Sequence, residues 1–240
     1  ERLGDVAWET LRDAAVADHR ALFRRVTLDV GPGRDDLPTD RRVAEYVAAL
    51  DPGLAELYFQ LGRYLLIASS RPGTEPANLQ GIWNDNPNPP WDSKYTVNIN
   101  LPMNYWPADT TNLGELVDPL FKLVSEVAET GRAVASRHYG ARGWVLHQNT
   151  DLFRAAAPMD GPSWGTWPTG GAWLTMNLWE HWRFERDPAF LTRLYPLMRD
   201  QVRFLLDILV QDPQTGWLVT APSNSPENFP ATPGNGRFFD

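Results

Sequence analysis

The feature that most constrains the fold is a helical repeat of apolar residues that returns several times along the chain. Apolar residues recur at intervals of three or four positions in the segments 54–68, 113–127, 173–184 and 194–209. This spacing lines one face of an α-helix, so it predicts at least four amphipathic helices. No sustained alternation of strands and helices is present. We therefore expect an all-α fold in which helical hairpins stack around an axis as an α/α toroid.

The chain before the first long helix has a different pattern. Residues 6–24 carry apolar positions at helical spacing, and Val26–Val30 alternates like a short strand before Gly31-Pro32-Gly33 ends it. This pattern indicates an entry helix and an arm. We interpret residues 1–40 as a linker from a preceding domain.

Three long segments between the helices have no repeat of their own. They span 71–112, 139–170 and 211–240, and they are rich in Pro, Asn, Gly and Trp. Long ordered loops often carry function. We therefore expect the residues of a functional site to lie in these segments.

Composition excludes several classes of ligand. The net charge of -8 and the isoelectric point of about 5.0 give no general attraction to phosphate backbones, so nucleic acid is not expected as a partner. The chain has no cysteine, which excludes disulfides and thiolate ligands. No apolar run approaches the roughly 20 residues that span a bilayer, so no membrane partner is expected.

Tryptophan is unusually abundant, with 11 residues, and most of them are clustered. One group is Trp83, Trp91 and Trp106, and the other is Trp164, Trp167, Trp173, Trp179 and Trp182. Flat aromatic faces can cover the apolar face of a sugar ring. The alternative is that tryptophans fill a large helical core. Their concentration in loop-like segments favours a carbohydrate ligand.

Two asparagines in the first long loop could hold a water molecule. Asn98 and Asn100 lie two residues apart, and in an extended segment such residues project to the same face. Two amide oxygens could then bind one water. The alternative is that asparagines in a Pro-rich loop stabilise turns through their own backbone.

One glutamate lies in a rigid, weakly charged loop. Glu227 is part of Ala221-Pro222-Ser223-Asn224-Ser225-Pro226-Glu227-Asn228-Phe229. Partial burial there would raise its pKa towards the roughly 6–7 that suits a general acid. The alternative is a solvated loop glutamate.

Several long motifs occur together in one order along the chain. They are Asn78-Leu79-Gln80-Gly81-Ile82-Trp83-Asn84, Asn98-Ile99-Asn100-Leu101-Pro102-Met103-Asn104-Tyr105-Trp106, His147-Gln148-Asn149-Thr150-Asp151-Leu152, Gly165-Thr166-Trp167-Pro168-Thr169-Gly170-Gly171-Ala172-Trp173 and the loop that carries Glu227. In this combination the chain resembles glycoside hydrolase family 95. The resemblance implies an (α/α)6 barrel and removal of terminal α-1,2-linked L-fucose from oligosaccharides or glycans with inversion at the anomeric carbon. Related members prefer α-L-galactosides.

The resemblance also implies roles for individual residues. Glu227 becomes the general acid, and Asn98 and Asn100 hold the attacking water. An amide is not a base, so the scheme needs a carboxylate behind the asparagines. In the family that carboxylate lies in a later motif, beyond Asp240, as does a histidine-rich substrate-binding motif.

Further residues match family motifs as candidates for binding the sugar. They are His147, Asn149, Trp167, Thr169, Trp91 and Asn224. For His147 the alternative is a loop histidine whose ring is hydrogen-bonded within the protein, and for Trp167 it is packing in the core. The resemblance requires no metal and no cofactor, and it suggests an extracellular or periplasmic location.

The resemblance also predicts a domain organisation. Residues 41–240 would form the first part of the catalytic barrel, truncated at its C-terminus. An N-terminal β-sandwich and the C-terminal barrel segments would then be missing from this chain.

Two other classes of protein were weighed. The Asp35–Asp40 cluster superficially resembles the metal-binding aspartates of terpene cyclases and prenyltransferases, but Pro38 would break a helix there, so a solvated turn is the better interpretation. A carbohydrate-binding fragment without catalysis is the non-enzymatic alternative. Retention of Glu227 together with Asn98 and Asn100 argues against it.

Overall fold

The computed structural model describes residues 6–222 and 224–227, and its architecture is helical. The helices are α1 (Trp8–Phe23), α2 (Thr39–Glu45), α3 (Pro52–Ser69), α4 (Asn100–Thr110), α5 (Asp118–Tyr139), α6 (Pro162–Gly165), α7 (Gly170–Glu185) and α8 (Pro188–Ile208). Short 3-10 turns at Pro90–Ser93 and Gly114–Val117 join them. The all-α class expected from the sequence is confirmed.

Local signals fix the ends of the long helices. Asp51 accepts a hydrogen bond from the Leu54 N–H (3.0 Å) at the start of α3. Asp187 caps α8 in the same way, and a proline follows each of these aspartates at the first helical position. Helix α5 ends at Gly140, whose φ of 61° is the left-handed conformation that glycine adopts without strain.

The core lies between α4, α5, α7, α8 and the turn at Gly114–Val117. Helix α5 contributes one continuous apolar stripe, and α7 and α8 pack side by side against it. The fully buried members include Leu101, Leu116, Leu120, Leu123, Val124, Val127, Trp144, Leu174, Leu178 and Leu194. This packing makes the helices a rigid support for the loops between them.

The strand expected at Val26–Val30 is wrong, because this segment is a loop in the structure. Side chains of α3 take the place of a partner strand. Arg63 and Gln60 both donate to the Val26 carbonyl, at 3.4 Å and 3.1 Å. These bonds satisfy a backbone acceptor that a sheet would otherwise have used.

Helix α4 was not expected, because Asn100–Thr110 carries little apolar periodicity and contains Pro102 and Pro107. It forms because its environment is apolar on several sides, where Leu101, Tyr105 and Ala108 are buried. Tertiary packing here overrides weak local propensity.

The Asp35–Asp40 stretch is a turn that leads into α2 at Thr39. The Asp35 carboxylate forms an ion pair with Arg42 at 2.9 Å. Over the described ranges no group of three or more His, Asp or Glu side chains is arranged to hold a metal ion. No helix in these ranges is both long and apolar enough to cross a bilayer.

Two short antiparallel pairs organise the loops. Strand β1 (Tyr95–Thr96) pairs with β2 (Asn149–Thr150), with Tyr95 opposite Thr150 and Thr96 opposite Asn149. Strand β3 (Val210–Gln211) pairs with β4 (Leu218–Val219) after α8. The β1–β2 pair brings the first two long loops together.

Candidate active site

A polar cleft of about 750 Å³ lies where the three long loops meet. It is lined by Leu79, Gln80, Pro90, Trp91, Asp92, Lys94, Thr96, Asn98, Ile99, Asn100, Gln148, Asn149, Asp160, Trp164 and Glu227. Three carboxylates, one ammonium group, several amides and two tryptophans therefore share one concave surface. Such a mixture suits a ligand with many hydroxyl groups.

The β1–β2 pair forms one wall of this cleft. The Val97 N–H donates to the Gln148 carbonyl at 2.7 Å and extends the pairing by one residue. Tyr95 and Val97 are buried in the core, whereas Thr96 and Asn98 line the cleft. Asn149 lies opposite Thr96 and faces the same way.

Asn98 and Asn100 both line the cleft, although not by the expected route. The extended conformation ends at Thr96, residues 97–99 form a turn, and Asn100 is the first residue of α4. The amide nitrogen of Asn98 donates to the Pro226 carbonyl at 3.1 Å. Its Oδ1 is buried and has no hydrogen-bond partner among the described residues. This oxygen is therefore available to a water or a hydroxyl group.

The Asn98–Pro226 bond places Glu227 beside the asparagines. Asn224 anchors the same segment, because its amide nitrogen donates to the carbonyls of Ser163 (2.9 Å) and Thr166 (2.8 Å). The side chain of Glu227 lines the cleft but is exposed, so the partial burial expected from the sequence is absent. Ser223, Asn228 and Phe229 of this motif lie outside the described residues.

Three side chains of the cleft form a continuous hydrogen-bonded series. Asn149 donates from Nδ2 to Asp160 Oδ2 at 2.8 Å, and Lys94 donates to Asp160 Oδ1 at 2.8 Å. Lys94 also contacts Asp92 at 3.0 Å. Burial opposes the charge of Lys94, but the two carboxylates outweigh it and raise the pKa of the ammonium group. Lys94 is therefore a fixed positive charge.

Close backbone packing positions Asp160. Gly165 has no room for a side chain, because a Cβ atom there would lie 1.9 Å from the Met159 carbonyl oxygen. Asp160 follows with a φ of 63°. Only a glycine at position 165 permits this approach, which brings the Asp160 loop to the cleft.

Trp91 is at the rim of the cleft and is 72% exposed. Three successive residues here have left-handed φ angles: Trp91 (50°), Asp92 (53°) and Ser93 (53°). The Ser93 hydroxyl donates to Gln80 Oε1 at 2.8 Å and fixes the end of this turn. Trp91 and Trp164 can therefore offer aromatic faces to a ligand.

His147, Trp167 and Thr169 do not line the cleft. His147 is fully buried, and its Nδ1 accepts the Trp167 backbone N–H at 2.8 Å while its Nε2 lies 3.0 Å from the Tyr139 hydroxyl. Burial lowers the pKa of His147 to about 4, with a smaller contribution from the charge of His138. Trp167 belongs to the core, and Thr169 precedes α7. His147 and Trp167 are thus buried and joined to each other by a hydrogen bond.

The sequence did not indicate Lys94, Asp160, Thr96 or Gln80 as site residues. Lys94 lies only four residues before Asn98, so its position next to the asparagine motif was an available signal. Asp160 lies in a loop with no local pattern that marks a ligand. Its role becomes visible only through the contact with Lys94, 66 positions away.

Known proteins similar to this chain match over most of its length. Alpha-L-fucosidase 2 of Arabidopsis thaliana is 44% identical over 226 residues, which are 91% of this chain and 27% of the plant protein. Probable alpha-fucosidase A of Aspergillus niger is 37% identical over 93% of this chain and 29% of the fungal protein. The Aspergillus oryzae protein of the same name is 37% identical over 149 residues.

This chain thus spans less than a third of the length of these relatives. The family described as the glycosyl hydrolase family 95 catalytic domain matches residues 7–238. That match covers the whole cleft and nearly all of the sequence, and therefore the chain belongs to glycosyl hydrolase family 95.

Proposed function

We propose that the protein to which this chain belongs is an inverting α-L-fucosidase that releases terminal α-1,2-linked L-fucose from oligosaccharides or glycans. The observation that carries this proposal is the 3.1 Å hydrogen bond from Asn98 to the Pro226 carbonyl. It joins two motifs that lie 128 positions apart, and this supports a site in which the residue after Pro226 acts as the acid and Asn98 holds the water. Relatives that are named fucosidases support the choice of sugar.

In the proposed reaction, Glu227 gives its proton to the glycosidic oxygen as the bond to the anomeric carbon breaks. A water held by the amide oxygens of Asn98 and Asn100 attacks the opposite face of the anomeric carbon and forms the new C–O bond. The water loses one proton to a carboxylate, and the leaving sugar carries the proton of Glu227. The products are free fucose of inverted configuration and the shortened oligosaccharide.

The proton acceptor is assigned outside the described residues. Of the other carboxylates in the cleft, Asp160 has both oxygens occupied, one by Lys94 and one by Asn149. Asp92 is paired with the same lysine. Both carboxylates are therefore already engaged in ion pairs with Lys94.

The acid role can be tested through the leaving group. In a full-length protein that contains this chain, Glu227→Ala should lose activity on natural fucosides by about 10²–10⁴-fold. It should keep activity on fucosyl fluoride, whose leaving group needs little protonation. Glu129→Ala, on the exposed face of α5, is the control and should leave both rates unchanged. Equal losses of the Glu227→Ala protein on the two substrates would contradict the acid role.

Two other functions are distinguished by the substrate that the protein hydrolyses and by whether it releases the sugar that it binds. An α-L-galactosidase of the same family would hydrolyse α-L-galactosides faster than fucosides. A carbohydrate-binding fragment would bind the sugar and release none. We expect residues 1–240 by themselves to release no fucose from a 2-linked fucosyl oligosaccharide, because the proposed proton acceptor is not among them. Full activity of residues 1–240 would refute that mechanism.

A further inference from the structure

We propose that Asp160 and Lys94 are positioning residues that hold the amide of Asn149 in one orientation, with its oxygen presented to a hydroxyl group of the bound sugar. This inference rests on the proposed function, because it concerns the ligand of the same cleft. It adds a determinant of specificity on the wall that the β1–β2 pair forms.

The orientation of the Asn149 amide follows from the chemistry of its neighbour. Asn149 is 4% exposed, and its Nδ2 donates to Asp160 Oδ2 at 2.8 Å. An ionised carboxylate can only accept hydrogen bonds. If the amide rotated by half a turn, the oxygens of Asn149 and Asp160 would face each other. The carboxylate therefore excludes the second orientation.

The oxygen of the same amide is left without a partner. Asn149 Oδ1 is buried and accepts no hydrogen bond from any described residue. A buried acceptor without a donor costs free energy, so a ligand hydroxyl that reaches it is favoured. The position of Asn149 on the cleft wall makes such an approach possible.

Lys94 holds Asp160 in place. Its side chain is 14% exposed, and it donates to Asp160 Oδ1 at 2.8 Å. Because one oxygen of Asp160 is bound by the ammonium group, the other is directed at Asn149. Lys94 thus fixes Asp160, and Asp160 in turn fixes the direction in which the neutral amide oxygen of Asn149 points. We call these three residues the Lys94–Asp160–Asn149 chain.

A neutral amide oxygen selects a hydrogen-bond donor. A sugar that lacks the contacted hydroxyl would leave Asn149 Oδ1 buried and unpaired. Sites of this kind reject a deoxy analogue more strongly than apolar pockets reject a change of size. We therefore expect the Lys94–Asp160–Asn149 chain to control discrimination between the natural sugar and one of its monodeoxy analogues.

The experiment uses a full-length protein that contains this chain and measures kcat/KM on a fucoside and on its 2-, 3- and 4-deoxy analogues. The wild-type protein should disfavour one analogue by at least about fivefold beyond the others. Asp160→Ala should remove most of this selective loss. Asn149→Ala should also remove the selective loss. The Asn149→Ala, Asp160→Ala double mutant should discriminate no less than Asn149→Ala alone, because both residues act through one contact.

A conservative change and a matched control separate positioning from folding. Asp160→Asn keeps one acceptor for Asn149 and should restore part of the discrimination that Asp160→Ala loses. Asp92→Ala removes the other carboxylate of Lys94 without a contact to Asn149, and should leave the discrimination ratio intact. Thermal melts of all variants show whether each one folds.

The outcomes are distinct from those that test the proposed function. If the wild-type protein hydrolyses no fucoside, the proposed function fails. If it hydrolyses fucosides but Asp160→Ala retains the full discrimination, the positioning role is wrong. Independent, additive losses of discrimination in the Asp160→Ala and Asn149→Ala proteins would also overturn it.

Discussion

Acidification should destabilise this fold through His147 before its carboxylates are protonated. Burial lowers the pKa of the folded His147 to about 4, against an ordinary value of 6.5. The unfolded chain therefore takes up a proton on this residue at a pH where the folded chain does not. The stability that the neutral histidine contributes is present above pH 6.5 and is lost as the pH falls towards 4.

The hydrogen bonds of His147 give the physical reason. Its Nδ1 accepts the Trp167 N–H at 2.8 Å, so Nε2 carries the proton and can donate to the Tyr139 hydroxyl. A second proton, on Nδ1, would turn this acceptor into a donor that points at the N–H of Trp167. The folded protein must break this bond before it can accept the proton.

The size of the effect follows from the two pKa values. Each unit of difference corresponds to about 1.4 kcal/mol, so the full loss is about 3 kcal/mol. Between pH 7 and pH 5 the expected loss is about 2 kcal/mol in the free energy of unfolding. Carboxylates such as Asp51, whose contact with Arg42 lowers its pKa to about 2, add their own loss at lower pH.

The assay is urea unfolding of residues 1–240 at pH 7, 6 and 5, with tryptophan fluorescence as the signal that reports unfolding. His147→Gln retains an acceptor for the Trp167 N–H but has no titrating group, so it should lower stability overall and flatten the pH dependence. His138→Gln changes an exposed histidine and should keep most of the wild-type slope. Equal slopes in the wild-type and His147→Gln proteins would refute the reasoning.

Other substitutions test the water site and the support of the loops. In the full-length protein, Asn98→Ala or Asn100→Ala should lower kcat far more than it raises KM, because these residues are proposed to hold the water; near-normal turnover in both would remove that role. Asn100→Asp adds a titrating group and should move the pH profile of kcat. In residues 1–240, Arg154→Met should cost about 2 kcal/mol in urea unfolding, because it leaves the Glu75 and Glu126 carboxylates without their buried partner. Arg183→Met removes an exposed ion pair and should cost less than about 0.5 kcal/mol.

The sequence indicated most of the helices because their energetics are local. The apolar stripe of α5 and the aspartate–proline starts of α3 and α8 are visible in short windows of residues. Helix α4 was missed because burial by distant segments stabilises it. The strand at Val26–Val30 was wrong for the same kind of reason, since Arg63 and Gln60 of the distant helix α3 both donate to the Val26 carbonyl.

The site could be predicted only in part. Asn98, Asn100 and Glu227 were named from motifs, and the structure brings all three to one cleft. Asn149 and Trp91 join them, and Asn224 lies behind Glu227 as an anchor. His147 was a binding candidate because it matches a family motif, and only the burial of its ring separates that role from a structural one. Asp160 carries no local signal at all.

Hydrogen-bonding capacity explains why the polar cleft is proposed to hold the sugar, and a more apolar groove nearby is not. A second groove of about 440 Å³ lies between α4 and α7 and is lined by Trp106, Trp173 and Phe184. Its polar side chains already have partners: Asp109 contacts His181, Asn177 donates to the Pro102 carbonyl, and Glu180 accepts from Arg183. In the cleft, by contrast, the amide oxygens of Asn98 and Asn149 have no partner among the described residues. A sugar replaces water at many polar atoms, so it gains most where protein acceptors are still free.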